Sequence, residues 1–227
     1  MLKENVEKVL KDLSLGNNCG ENVTLVAATK MVDADIINAA VSYGVTIVAE
    51  NRVQEFREKT DLIVNAKQHF IGHLQTNKVK YLVGKVDLIQ SVDSLRLAEE
   101  ISFCAVKRGV FQDVLLEINV GEEESKSGFD LSEIKDALIK IKGLKNITVK
   151  GFMAMLPESE NEEYLGQLFD KVRALYDGLK DEYSLKYLSM GMSGDYKIAV
   201  KHGSNMVRIG SAIFGKRNYG EKQYGSI

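Results

Sequence analysis

A lysine at the end of an apolar run is the residue of this sequence best placed to do chemistry. Lys30 directly follows Thr24–Thr29, whose β-branched and small residues predict a buried strand. If that strand belongs to a barrel, its carboxyl end carries Lys30 into the barrel mouth, where barrel enzymes place their active sites. Lysine amines shielded from water are more often neutral, and a neutral amine attacks carbonyl carbon. The simpler alternative is a surface lysine just beyond a strand.

Two small polar segments late in the chain predict a phosphate site. Ser193 follows the predicted seventh strand, and Gly210 and Ser211 follow the eighth. Barrels often bind phosphate in the loops after these two strands, at the start of a short helix. The Ser193 hydroxyl and the backbone N–H groups of Gly194, Gly210 and Ser211 could supply the donors, although glycine and serine are also common in ordinary turns. With Lys30, they suggest a ligand that has a phosphate at one end and a reactive carbon at the other.

Other catalytic patterns are weaker. His69 and His73 are four residues apart, but along a strand that spacing separates them by about 13 Å, too far for one metal ion. We therefore expect no metal site. Gly191–Asp195 departs from the serine hydrolase elbow at its last position, where glycine is required. Glu50 and Glu117 could form a carboxylate pair only if the fold brought them together, and an ion pair of Glu50 with Arg52 is the simpler expectation.

The elements that must position these residues alternate between short strands and amphipathic helices. We predict eight strands, at 24–29, 45–49, 68–72, 86–91, 114–119, 148–154, 187–190 and 206–210. Strands that alternate with helices pair in parallel, and eight such units fit a (β/α)8 TIM barrel, here with an extra N-terminal helix over 1–13. The rival is an open doubly wound sheet, but no Gly-x-Gly-x-x-Gly follows the first strand.

Composition restricts the class of protein. The 227 residues are 44% hydrophobic and 27% charged, and their net charge of −2 argues against general nucleic-acid binding. No apolar run approaches the roughly 20 residues that cross a bilayer, and the first residues do not resemble a signal peptide. Cys19 and Cys104 are far apart, which favours free thiols in the cytoplasm. We expect one domain over 1–227, with a loose tail over 220–227.

Eight segments in order resemble the pyridoxal phosphate homeostasis protein family, also called the YggS or PROSC family. The similarity runs from about Val23 to about Gly215 and is carried by Val26–Lys30, Ala49–Glu55, His69–Lys78, Ser91–Asp93, Glu117–Asn119, Lys126–Gly128, Leu188–Ser193 and Val207–Gly215. The resemblance implies a barrel like the alanine racemase N-terminal domain, with pyridoxal 5′-phosphate (PLP) bound to Lys30 as a Schiff base. Ala49 stands where the family has glycine, which puts only the local turn in doubt.

The resemblance also implies roles for the remaining site residues. Ser193 and the backbone of Gly210 and Ser211 match the phosphate contacts, and Asn51 matches a pocket residue. Arg208 matches the arginine that faces the pyridine nitrogen in related racemases, and a rim ion pair is its simpler interpretation. A fixed positive charge there disfavours protonation of the nitrogen and makes the ring a poorer electron sink. That chemistry suits a carrier or a racemase.

Two functions follow from this reading. The first is a PLP-binding protein without robust catalysis that buffers PLP or delivers it to PLP-dependent enzymes that lack their cofactor. The second is a PLP-dependent amino-acid racemase. Related racemases take one catalytic base from a second domain across a dimer, and the chain ends soon after its eighth strand, with only Tyr219 and Tyr224 late in the sequence. We therefore expect a monomeric carrier with no catalytic residues.

Overall fold

Eight parallel strands close into a barrel in the computed structural model, which describes residues 1–121 and 127–215. Each strand pairs with its neighbours in chain order, and β8 pairs with β1. This topology confirms the predicted (β/α)8 TIM barrel and excludes the open sheet. The strands are β1 (Thr24–Ala28), β2 (Ile47–Glu50), β3 (Lys67–Phe70), β4 (Leu88–Val92), β5 (Gln112–Ile118), β6 (Ile147–Ala154), β7 (Tyr187–Ser189) and β8 (Met206–Ile209).

Helices surround the barrel and begin before its first strand. The extra N-terminal helix packs against the final helix, where Asn5 Nδ2 donates a hydrogen bond to the Ile213 carbonyl at 3.0 Å. Two short 3-10 turns, Thr60–Leu62 and Thr76–Tyr81, complete the described elements. The helices are α1 (Leu2–Leu13), α2 (Ala34–Ser42), α3 (Val53–Lys59), α4 (Leu95–Arg108), α5 (Ile134–Lys142), α6 (Glu162–Tyr183), α7 (Tyr196–Lys201) and α8 (Ser211–Phe214).

Apolar side chains fill the barrel and the layer between strands and helices. The two layers form because parallel strands buried on both faces carry apolar residues on both. Helix ends follow local chemistry: the Ser94 hydroxyl caps α4 by accepting from the Leu97 N–H at 3.3 Å, and Gly109 ends it with φ 66°. The interior cluster consists of Val26, Ala49, Ile71, Leu88, Leu115, Met153 and Met206.

The second strand begins later than we predicted. Residues 45–49 have the composition of a strand, yet β2 starts at Ile47. The reason is that the Val45 N–H donates to the Ala40 carbonyl at 3.2 Å and so completes the end of α2. The four-residue α8, which follows β8 directly, was not predicted.

Several sequence expectations concern parts of the chain that lie outside the described residues. These are the loose tail, Tyr219, Tyr224 and Lys126 of the Lys126–Gly128 segment. Within the described ranges, no helix combines the length and apolarity that a membrane crossing requires. Cys19 is exposed and Cys104 is buried, and both are free thiols.

Candidate functional site

A cavity of about 540 Å³ opens at the carboxyl ends of the strands. It brings together all six residues that the sequence singled out as cofactor contacts. Lys30 follows β1, Asn51 follows β2, and the others follow β7 or belong to the end of β8 and the start of α8. The lining comprises Ala28, Lys30, Asn51, Ile71, Met155, Glu158, Met192, Ser193, Gly194, Arg208, Gly210 and Ser211.

Lys30 lies in a tight turn between β1 and α2. The Val32 N–H donates to the Thr29 carbonyl at 3.0 Å, which makes Lys30 and Met31 the two central residues of the turn. Met31 has φ 59°, a left-handed backbone that side chains other than those of glycine, asparagine and aspartate seldom adopt. The turn therefore ends β1 abruptly and directs the chain away from the barrel just where Lys30 reaches the cavity.

Arg208 is a buried guanidinium held by neutral oxygens. Its Nη1 donates to the carbonyl and hydroxyl oxygens of Ser189 at 2.7 and 2.8 Å, and its Nη2 donates to the Ala154 carbonyl at 2.9 Å. Burial lowers the pKa of Arg208 to about 10, although Asp195 and Glu117 oppose this. No carboxylate of the described ranges lies within ion-pair distance, so the rim ion pair suggested as its simpler role is wrong. The guanidinium lines the cavity.

A buried hydrogen-bond network extends from Arg208 across the barrel. The Ser189 hydroxyl donates to Gln90 Oε1 at 2.7 Å, and Gln90 Nε2 lies 3.0 Å from His69 Nδ1. Burial lowers the pKa of His69 to about 4, so its ring is neutral and Nδ1 can accept from the Gln90 amide. His73 instead lies outside the barrel and pairs with Asp93 at 3.2 Å. The two histidines therefore have separate partners.

Ser193 connects the loop after β7 to the beginning of α8. Its hydroxyl oxygen accepts from the backbone N–H groups of Gly210 at 3.1 Å and Ala212 at 3.3 Å. Because the oxygen already accepts two hydrogen bonds, the hydroxyl proton is left to donate to a ligand. An added Cβ at Gly194 would meet nothing within 4 Å, so this side of the cavity is open. The segment thus presents small donors to an incoming anion.

Asn51 is held at the cavity by a close backbone approach. A Cβ built on Gly72 would lie 2.0 Å from the Asn51 carbonyl oxygen, so only glycine fits beside this residue. The side-chain Oδ1 of Asn51 is buried and has no hydrogen-bond partner among the described residues. A buried acceptor of this kind is available to a donor on a ligand or a water molecule.

Two buried carboxylates lie near the site with different surroundings. Glu50 Oε1 pairs with Lys59 Nζ at 3.0 Å, so the predicted ion pair of Glu50 with Arg52 is wrong. Burial also raises the pKa of Glu50, and Lys59 partly offsets the rise. For Glu117, burial raises the pKa to about 7, an effect that Asp93 strengthens and Arg208 opposes. Neither carboxylate lines the cavity, so the structure does not assemble a glycosidase pair.

Some residues that line the cavity were not predicted from the sequence, and some residues near strand ends lie elsewhere. Ala28, Ile71, Met155, Glu158 and Met192 line the cavity. The position of Met155 directly after β6 was an available signal, whereas Glu158 lies further along the loop. Met153, near the end of β6, belongs to the interior cluster and does not line the cavity. Arg52 and His73 line a separate cleft of about 230 Å³ that shares Asn51 with the main cavity.

Comparison with known proteins places this architecture in a family. Residues 2–218 match the family model described as alanine racemase, N-terminal domain. The pyridoxal phosphate homeostasis protein of Aquifex aeolicus is 42% identical over 220 residues, which cover 95% of each chain. The structure of PipY from Synechococcus elongatus with PLP bound is 29% identical, with a TM-score of 0.81 over 95% of this chain and 100% of that one.

A more distant likeness concerns the fold alone. An alanine racemase from Clostridium difficile superimposes with a TM-score of 0.75 at 17% identity, over 94% of this chain and 60% of the racemase chain. The barrel is therefore common to this chain and the racemase, which is a likeness of fold alone. On these matches, the chain belongs to the pyridoxal phosphate homeostasis protein family, which is built on the alanine racemase N-terminal domain.

Proposed function

We propose that this chain binds PLP covalently through Lys30 and holds or delivers it in PLP homeostasis. The observation that carries the proposal is the single cavity in which the Lys30 amine, the buried Arg208 guanidinium and the Ser193 hydroxyl meet. PLP supplies an aldehyde that an amine can bind and a phosphate that hydrogen-bond donors can hold. Its binding by a relative, PipY, agrees with this assignment.

The residues present fit such a ligand. Strands β1 and β8 are paired in register, with Val26 opposite Arg208, so Lys30 and the Gly210–Ser211 segment follow adjacent strands at the same rim. Ser193 has its hydroxyl proton to spare and can donate to a phosphate oxygen together with the Ser211 N–H, whereas the Gly210 N–H already donates to Ser193 Oγ. Asn51 Oδ1, which has no partner among the described residues, is available to a donor elsewhere on the ligand. We propose these six residues as the PLP contacts.

Arg208 sets the electrostatic character of the site. Its guanidinium keeps its charge at neutral pH and cannot accept a proton, and the backbone carbonyls of Ser189 and Ala154 fix its position. Next to a pyridine nitrogen, such a group would disfavour protonation of the ring, as the family resemblance implies. A site of this kind would support few reactions of bound amino acids.

The cavity lining favours a carrier over a racemase. Racemisation requires a proton donor or acceptor on each face of the substrate. Among the described lining residues, the ionisable side chains are Lys30, Arg208 and Glu158, and Glu158 is exposed at the mouth. Relatives named for homeostasis agree with this reading. We propose that the protein has no robust catalysis, and a weak PLP-dependent racemase is the second candidate.

The proposal is tested by adding PLP to the purified protein and recording its visible spectrum. We expect a yellow protein whose borohydride reduction leaves one reduced pyridoxyl group on the peptide that contains Lys30. The bond forms because the amine and the phosphate donors line one cavity. A protein that stays colourless with PLP in excess contradicts the proposed function.

The choice between carrier and racemase is tested by solvent exchange. The PLP-loaded protein is incubated in deuterium oxide with a broad panel of amino acids, and the deuterium at Cα is measured by mass spectrometry. We expect no incorporation above that of free PLP, because the described lining of the cavity has no second well-placed proton carrier besides Lys30. If one amino acid exchanges rapidly, Glu158→Gln shows whether this side chain supplies the second group.

Three further expectations accompany the carrier proposal. PLP-dependent enzymes without cofactor are proposed as transient recipients, with no role for nucleic acid or membranes. A cytoplasmic location is proposed because both cysteines are free, as reducing compartments keep them. The monomeric state expected from the sequence stays a prediction.

A further inference from the structure

A partly buried lysine, Lys59, lies between two carboxylates beside the turn that carries Lys30. Lys59 Nζ donates to Glu50 Oε1 at 3.0 Å, to Glu55 Oε2 at 2.9 Å and to the Thr29 carbonyl at 3.2 Å. An ammonium group has three hydrogens, so these contacts satisfy all of them. We call Lys59, Glu50 and Glu55 the Lys59 clasp. The carboxylates come from β2 and α3, and the carbonyl follows β1.

The clasp holds the Lys30 turn on both sides. The carbonyl of Thr29, just before Lys30, accepts a hydrogen bond from Lys59 Nζ, and the Thr29 hydroxyl donates to Glu50 Oε1 at 2.8 Å. Just after Lys30, the Met31 N–H donates to Glu55 Oε2 at 2.6 Å. Met31 has the left-handed φ of 59°, which a side chain adopts only when its surroundings require it. Glu55 of the clasp therefore contacts the residue that has this strained backbone.

The side chains of the clasp are largely shielded from solvent. The side chains of Lys59, Glu50 and Glu55 are 13%, 4% and 15% exposed, so the pairs are far less screened than surface ion pairs. Burial alone would raise the pKa of Glu55, but the Met31 N–H and the Lys59 ammonium outweigh it and lower that pKa. Glu55 is therefore ionised at neutral pH, and one oxygen of the carboxylate accepts the hydrogen bond from the turn.

None of the three side chains lines the cavity, so the clasp acts through the turn. We propose that Lys59, Glu50 and Glu55 are positioning residues that hold the strained Thr29–Val32 turn and thereby present the Lys30 amine to PLP. The inference rests on the proposed function of Lys30. It assigns no contact between the clasp and the ligand.

The test compares Lys59→Met with an exposed control, Lys171→Met on α6. Methionine keeps the length of the side chain and removes its charge and donors. We expect Lys59→Met to capture PLP at Lys30 at least about tenfold more slowly, because small misplacement of a reacting group has effects of this size. In the protein without PLP, the Met31 amide should exchange hydrogen about tenfold faster, since its acceptor is no longer held in place. Lys171→Met should change neither rate.

A rescue variant separates positioning from general damage to the fold. Glycine adopts positive φ without the steric cost of a side chain, and Met31 is 49% exposed, so its removal costs little packing. Met31→Gly in the Lys59→Met background should therefore restore PLP capture to within about threefold of wild type. Glu55→Gln keeps an acceptor oxygen for the Met31 N–H and should have an intermediate effect.

The outcomes distinguish the two proposals. If wild type does not capture PLP at Lys30, the proposed function is wrong, whatever the exchange rates are. If wild type captures PLP and Lys59→Met does so at the same rate, the positioning role is overturned and the proposed function stands. A slow Lys59→Met protein that Met31→Gly fails to rescue also overturns the role, because the defect then does not lie in the turn.

Discussion

Replacing Lys30 with alanine is expected to abolish covalent retention of PLP. The change removes the amine and leaves the Ser193 hydroxyl, the Gly210–Ser211 backbone and Arg208 in place. Noncovalent contacts alone should hold PLP at least about 100-fold more weakly, because an amine fixed next to the aldehyde has a high effective concentration. Gel filtration followed by absorbance of the protein fraction measures the PLP retained.

The matched control for this prediction is Lys171→Ala, which removes an exposed lysine of α6. It should retain PLP as wild type does, and both variants should melt within a few degrees of wild type because Lys30 is not part of the apolar core. If Lys30→Ala still carries a reduced pyridoxyl group after borohydride treatment, another lysine is the anchor and the site assignment is wrong.

A single added methyl group at Gly72 is expected to damage both stability and binding. Its Cβ would lie 2.0 Å from the carbonyl oxygen and 2.7 Å from the Cα of Asn51, so the backbone of Asn51 must shift. We expect Gly72→Ala to lower the free energy of unfolding by about 3 kcal/mol, the upper part of the range for overpacking. Displacement of Asn51 should weaken PLP binding by about tenfold. Chemical denaturation and PLP titration measure the two effects.

Gly178→Ala makes the same chemical change as Gly72→Ala, and we expect it to have the opposite effect on stability. Gly178 lies inside α6, and a Cβ there meets nothing within 4 Å. The substitution should stabilise the protein by roughly 0.5–1 kcal/mol, because alanine is the better helix former, and it should leave PLP binding unchanged. Equal stability and equal PLP affinity of Gly72→Ala and wild type would show that Asn51 is not held as described.

Much of the fold could be predicted from local patterns. Strands of β-branched residues alternate with amphipathic helices, and that order alone favours parallel pairing and a barrel. The strand boundaries were less predictable where one residue serves two elements. Val45 has the composition of a strand residue, but its N–H bonds to the end of α2. Such choices depend on a hydrogen bond that composition does not encode.

The site was predictable to the extent that it depends on strand ends. All carboxyl ends of a parallel barrel meet at one rim, so Lys30, Asn51, Ser193 and Arg208 converge once the strands are known. Glu158 escaped prediction because it lies several residues beyond β6, in a loop whose path the sequence pattern does not specify. Distance along a loop says little about distance in space.

The sequence by itself determined the alternation of elements, and with it the rim on which Lys30 and the small polar segments lie. Only the tertiary structure decided the partners of the buried charges. Glu50 pairs with Lys59, although Arg52 is nearer in sequence, and Arg208 binds backbone carbonyls of β6 and β7 where a carboxylate was the simpler expectation. The physical reason is that a buried charge must be satisfied by whichever groups the packed strands and helices bring within hydrogen-bond distance.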